Sequence, residues 1–188
     1  MKLLGISGSA RNKNTNFMLK TVLDATGANF EIIDLKDCKI NPCLNCRFCH
    51  KTFECTQKDD MKKLYLKLIE TDVVVFASPT YFDNVSGIMK HFMDRCLPFY
   101  FSRKLENKKA VVLSVGGFKN LVKLDKNGNC VWCKTDNACK KTVRRCINSL
   151  KFFANQLGMK VIAEEYAIHG DSTRIENKLV KIGKSLIE

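Results

Sequence analysis

Five short apolar runs, rich in β-branched residues, punctuate the chain, and amphipathic stretches separate them. KLLGIS (2–7), NFEIIDL (29–35), DVVVFASPTY (72–81), KAVVLSVGG (109–117) and MKVIAEEYAI (159–168) read as strands. TNFMLKTVLDAT (15–26) carries Phe17, Met18, Val22 and Leu23 at helical spacing. DDMKKLYLKLIET (59–71) predicts a helix whose acidic first turn suits the helix dipole. SGIMKHFMDRC (86–96) predicts a serine-capped helix. CKKTVRRCINSLKFFANQLG (139–158) predicts a helix ended by Gly158, and STRIENKLVKIGKSLI (172–187) a closing helix.

Strands and helices alternate five times, which requires right-handed crossovers and a parallel sheet covered on both faces. The expected fold class is α/β: a flavodoxin-like, doubly wound sheet of five parallel strands in the order 2-1-3-4-5. No repeat, linker or low-complexity tract interrupts the pattern, so residues 1–188 read as a single domain. It carries a cysteine-rich loop at 38–58 and a basic, cysteine-containing loop at 118–140.

Composition adds two facts. The net charge is +13, and residues 103–151 hold thirteen Lys and Arg against three Asp and Glu. A basic surface of this kind attracts anionic cofactors or acidic partners, or is simply a solvated face. With no zinc-finger histidine spacing and no RNA-binding signature, a nucleic-acid partner is not expected. No apolar run is long enough for a membrane span, and MKLLGISGSARNKN is too short and too soon broken for a secretory core. The expected location is cytoplasmic, without membrane association. Ten cysteines in a reducing compartment then point to metal or redox chemistry before structural disulfides.

In a sheet of this order, ligands bind beyond the carboxyl ends of the strands, at the switch point between the first and third. Three loops fall there. SGSARNKNTN (7–16) leads into a helix N-terminus. Its backbone N–H groups suit an anion, Ser7, Ser9, Thr15 and Asn16 add polar side chains, and Arg11 adds charge. The loop matches neither a Walker P-loop nor the dinucleotide glycine pattern nor a hydrolase elbow. SPTYFDNVSG (78–87) fixes its exit with Pro79 and continues through Thr80. It offers Tyr81 and Phe82 for stacking, and Asn84 and Ser86 for ring heteroatoms. SVGGF (114–118) offers Gly116 and Gly117, where backbone can approach a ligand closely. Together the loops describe a phosphate pocket beside a flat aromatic site, most simply for FMN. No residues read as a catalytic dyad or triad, and His50, His91 and His169 have no ligand spacing.

NPCLNCRFCHKTFECTQKDD (41–60) holds Cys43, Cys46, Cys49 and Cys55. The spacing C-x2-C-x2-C-x5-C suits a [4Fe–4S] cluster, in which each thiolate serves a different iron. Zinc and free thiols remain open on spacing alone. Cys130, Cys133 and Cys139 form a second group, read as a disulfide or as loose thiols, with metal or redox chemistry the other possibility. Cys38 and Cys96 read as small buried hydrophobes.

GISGSARNKNTN, SPTYFDNVSGIMKHFMDR and VGG resemble the three FMN loops of the NADPH-dependent FMN reductase superfamily. The cysteine spacing followed by KDDM resembles the compact motif of the iron–sulfur flavoproteins of methanogens and related anaerobes. The resemblance implies an oxidoreductase that takes electrons from ferredoxin through the cluster to FMN, with dioxygen or hydrogen peroxide as acceptor. It also implies a homodimer or homotetramer with FMN near an interface. The competing expectation is an NAD(P)H-dependent FMN or quinone reductase without a cluster.

Overall fold

The computed structural model describes residues 1–117, 125–126, 131 and 136–187. Most of the basic loop, with Cys130 and Cys133, lies outside the described residues. Five strands, β1 (Leu3–Ser7), β2 (Phe30–Asp34), β3 (Val73–Pro79), β4 (Lys109–Val115) and β5 (Lys160–Ala167), form one sheet. Every pairing is parallel and the order is β2-β1-β3-β4-β5, as the alternation predicts.

The central strands are apolar throughout because both faces are covered. In β3, Val74 and Phe76 enter one core, with Phe92, Phe153 and Leu68. Val73, Val75 and Ala77 enter the other, with Met18, Leu19 and Leu179. Side chains that alternate across a strand therefore feed two separate helix layers. Helices α1 (Asn14–Asp24) and a closing helix (Glu176–Ser185) cover the second face. The first is covered by α3 (Met61–Glu70), α4 (Gly87–Arg95), α5 (Leu97–Ser102) and α6 (Asp136–Gln156), following a short α2 (Cys49–Thr52). The closing helix is α7. At the β5 edge the pairing slips between Ala110 and Val111, leaving an extra residue, Ile162, facing solvent.

Two expectations change. Helix α3 begins at Met61 and has no acid in its first turn, so Asp59 and Asp60 lie before it. Their carboxylates instead accept backbone N–H groups: Asn41 to Asp59 at 3.0 Å and Lys39 to Asp60 at 2.8 Å. They close the stem of the cysteine loop. Helix α5 adds to the predicted elements; Pro98 occupies its first turn, where a missing N–H costs nothing. Among the described residues no helix is long and apolar enough to cross a membrane.

Candidate functional site

Register places the ends of β1, β3 and β4 side by side: Ser7 pairs with Ala77, and Pro79 with Val115. The three predicted loops therefore share one edge. In the first, the Ser7 hydroxyl is buried and donates to Asn16 Oδ1 at 2.6 Å, while Asn16 Nδ2 donates to Asp34 Oδ1 at 2.7 Å. Ser9 Oγ donates to the Arg11 carbonyl at 2.7 Å, which curls the loop back on itself. Thr15 is buried, and Arg11 is exposed. No side chain caps α1 and no acid sits in its first turn, so its N–H end stays open to an anion. Ser7, Asn16 and Thr15 hold this loop from within, and Arg11 lies exposed on it.

The second loop is a two-residue hairpin. Tyr81 N–H donates to Asn84 O at 2.9 Å and Asn84 N–H to Tyr81 O at 3.0 Å. Phe82 (φ 47°) and Asp83 (φ 64°) between them are both left-handed, the geometry of a type I′ turn. Glycine or asparagine normally fills these positions; a phenylalanine there is strained. The turn leaves the Phe82 ring fully in solvent, beside the exposed Tyr81. An ion pair from Asp83 to Arg145 of α6 steadies the turn. Asn84 is exposed. Ser86 is buried and committed inward: its hydroxyl donates to the Gly8 carbonyl at 2.6 Å and accepts the Met89 N–H at 3.1 Å. It caps α4 and ties the first loop to the second. Thr80 similarly faces Ser114, Oγ to Oγ at 2.9 Å.

In the third loop the glycines answer to protein neighbours as much as to any ligand. A Cβ on Gly116 would lie 2.5 Å from Val143 Cγ2. Gly117 has φ +83°, and a Cβ there would lie 2.9 Å from the His169 backbone.

Cys43, Cys46, Cys49 and Cys55 are free thiols that line one concavity of about 370 Å³, its open mouth included. Left-handed residues between them, Asn45 (φ 50°) and Arg47 (φ 60°), wrap the loop around it. Two sulfurs already meet polar groups here: Asn45 N–H donates to Cys43 Sγ at 3.5 Å, and Cys46 Sγ and Thr56 Oγ1 lie 3.7 Å apart. The Phe48 N–H and then the Thr56 hydroxyl hold the Cys46 thiol below the usual range. Burial first, and then the neighbouring Cys55, Cys43 and Cys46, push Cys49 up. Among the described residues no three potential ligands already converge on one point. The four thiols thus share a pocket without forming a closed shell. The donor set, four sulfurs with a backbone N–H against Cys43 and a hydroxyl against Cys46, suits a thiolate-held cluster. Cys96 and Cys146 are buried, Cys38 is half-buried, and Cys139 is disulfide-bonded.

Sequence reasoning missed the floor of this pocket. Arg95 and Asp59 are 1% and 3% exposed and form a forked ion pair, Nη1–Oδ2 2.5 Å and Nη2–Oδ1 3.0 Å. Arg95 Nη1 also donates to the Asn41 carbonyl at 2.9 Å. A buried pair of charges was the signal, but the partners lie 36 residues apart in sequence. Helix α4 consequently has one end fixed to the first two loops through Ser86 and the other clamped onto the cysteine loop through Arg95.

The family model described as NADPH-dependent FMN reductase matches residues 1–124, a span that includes all three loops and the four cysteines. An iron–sulfur flavoprotein of Archaeoglobus fulgidus is 39% identical over 124 residues, 64% of this chain and 61% of that protein. An iron–sulfur flavoprotein of Methanocaldococcus jannaschii is 36% identical over 124 residues, 64% of each chain. The match thus spans less than two thirds of the length of these curated relatives. The solved structure of an NAD(P)H:quinone oxidoreductase from Methanothermobacter marburgensis superposes with a TM-score of 0.72. It covers 100% of this chain and 96% of that one at 16% identity, a likeness of fold. With the loops in place at the sheet edge and the family model matched across all of them, the chain belongs to the NADPH-dependent FMN reductase family.

Proposed function

We propose that the chain is an FMN-dependent oxidoreductase whose four loop cysteines hold a [4Fe–4S] cluster that exchanges electrons with the flavin. The observation that carries this reading is α4. One nine-residue helix, about 13 Å long, joins the flavin loops to the thiol pocket as a rigid strut. Bound FMN would place its phosphate at the open N-terminus of α1, near Arg11, Ser9 and Asn16, and its ring against Tyr81 and Phe82. The flavin supplies two-electron chemistry and the cluster one-electron exchange; the protein supplies binding, spacing and electrostatics.

In this reading the electron donor is ferredoxin, an acidic carrier, and a small acceptor such as dioxygen or hydrogen peroxide takes the electrons. The exposed Lys140 and Lys141 of α6 support an acidic partner. They share that helix with Arg145, whose pair with Asp83 places it beside the Phe82 turn. A homodimer or homotetramer would enclose the exposed aromatic rings. The second reading, an NAD(P)H-dependent FMN or quinone reductase without a cluster, draws on the unconverged thiols.

Anaerobic mixing separates the two. Reduced ferredoxin should bleach the flavin of the wild type and fail to bleach that of Cys46→Ala, whose FMN remains bound. The wild-type rate should fall with added salt, and a Lys140→Glu, Lys141→Glu variant should lose that salt dependence. NADPH bleaching the flavin equally in wild type and Cys46→Ala, with ferredoxin inert, would establish the second reading.

A further inference from the structure

Arg95 is spent on one side only. Its two terminal nitrogens hold Asp59 and the Asn41 carbonyl, which fastens the stem of the cysteine loop. Its Nε, also buried, has no hydrogen-bond acceptor. The same side chain lines the concavity that contains Cys43, Cys46, Cys49 and Cys55. A buried N–H without an acceptor is unusual and asks for one. The concavity presents the four cysteine sulfurs beside the oxygens of Asn45, Gln57 and Asp94, none within hydrogen-bond distance of Nε, and Asn45 N–H and Thr56 Oγ1 are already placed against Cys43 and Cys46. A strut for the loop needs only the fork to Asp59. The remaining donor, on a side chain 1% exposed, is the part that a strut leaves unexplained.

We propose that Arg95 is a positioning residue for the centre held by these four cysteines, giving their sulfurs an N–H donor and a fixed positive charge that favour its reduced form. This rests on the iron–sulfur reading above. Reduction adds one negative charge, so a nearby guanidinium stabilises the reduced state more than the oxidised one. Hydrogen bonds to sulfur act in the same direction. Asp59 pairs with the two terminal nitrogens, does not line the concavity, and sets how much of the guanidinium charge the sulfurs feel. The two members of one ion pair therefore have opposite effects on the centre, although both hold the same loop.

The test is a reductive titration of anaerobically purified, full-length protein with dithionite, followed by electron paramagnetic resonance. Iron content, FMN content and circular dichroism are recorded for each variant. In Arg95→Gln the reduced-to-oxidised ratio at the wild-type midpoint should fall about tenfold, equivalent to about 59 mV for a one-electron couple. Asp59→Asn, which breaks the same pair but leaves the guanidinium uncompensated, should raise it. Arg95→Lys keeps the charge without the fork and should fall between wild type and Arg95→Gln. Both Arg95→Gln and Asp59→Asn moving the same way, or both losing iron alike, would make Arg95 a strut and overturn the proposal. Should Arg95→Gln not fold, Asp59→Asn decides alone, and an unchanged or lower potential sinks the idea. An iron-free wild type would instead sink the iron–sulfur reading itself, and this inference with it.

Discussion

Cys46 and Cys49 sit three residues apart, with left-handed Arg47 between them, and face different surroundings. Cys46 is exposed, and the Phe48 N–H and Thr56 hydroxyl favour its thiolate. Cys49 is half-buried, and burial first and then the other three thiols disfavour its ionisation. Thiolate is the reactive and ligating form. In iron-free protein treated with iodoacetamide near neutral pH, Cys46 should be alkylated before Cys49, with buried Cys96 and Cys146 last by a wide margin. Peptide mass spectrometry over a pH series should place the Cys46 profile below that of an ordinary thiol. Equal rates at Cys46 and Cys49 would contradict the hydrogen bonds assigned here. The cysteines themselves were plain in the sequence, since the spacing alone set them apart. Arg95 and Asp59 were not, because nothing local marks a charge that the fold will bury.

Two elements store the features that matter most. The Tyr81–Asn84 turn keeps an aromatic residue in a left-handed conformation, at a cost of roughly 1–2 kcal/mol for an L-residue. Phe82→Gly should therefore raise stability by about 1 kcal/mol in denaturant titrations. It should also weaken FMN binding severalfold, measured by flavin fluorescence. Stability and affinity moving in the same direction would show that the ring is unconnected with the flavin. The second element is the stem of the cysteine loop. Burial alone would raise the Asp59 carboxyl, but hydrogen bonds from Arg95, Asn41 and Met61 outweigh it and hold the group below the usual range. A depressed carboxyl contributes stability that is complete above the unfolded value, about 3.9, and is lost as pH falls through the folded one. Asp59→Ala leaves Arg95 buried without its partner and should cost about 3–5 kcal/mol near neutral pH. The acid limb of the wild-type stability curve should be flatter in that variant; an unchanged limb would mean that Asp59 does not carry it.

Element by element, the strands were legible because buried parallel strands are continuous apolar runs, as Val73–Pro79 shows. The I′ turn was hidden because Phe82 and Asp83 are not the residues such a turn selects. The role of Asp59 and Asp60 was hidden by their place before a helix that looked ready to use them.

At the scale of the whole molecule, the sheet brings three loops to one edge, and α4 carries their position to the thiol pocket. The three loops were readable in advance, since a doubly wound sheet puts its ligand there. Their inner chemistry was not: Ser7, Thr15 and Ser86 proved buried, holding the loops in shape, while Arg11, Tyr81, Phe82 and Asn84 face outward. Nor could the sequence separate a glycine needed for a ligand from one needed for His169, as at Gly117. The net charge of +13, most of it contributed by residues 103–151, bears on partners and leaves the fold untouched. We propose that one chain holds both a flavin and an iron–sulfur centre. The most direct test is iron, sulfide and FMN quantitation on anaerobically purified protein, beside the same analysis of Cys46→Ala. About four irons, about four sulfides and about one FMN per chain, with the iron lost and the FMN kept in the variant, is the predicted result. A full complement of FMN without iron in the wild type would contradict it.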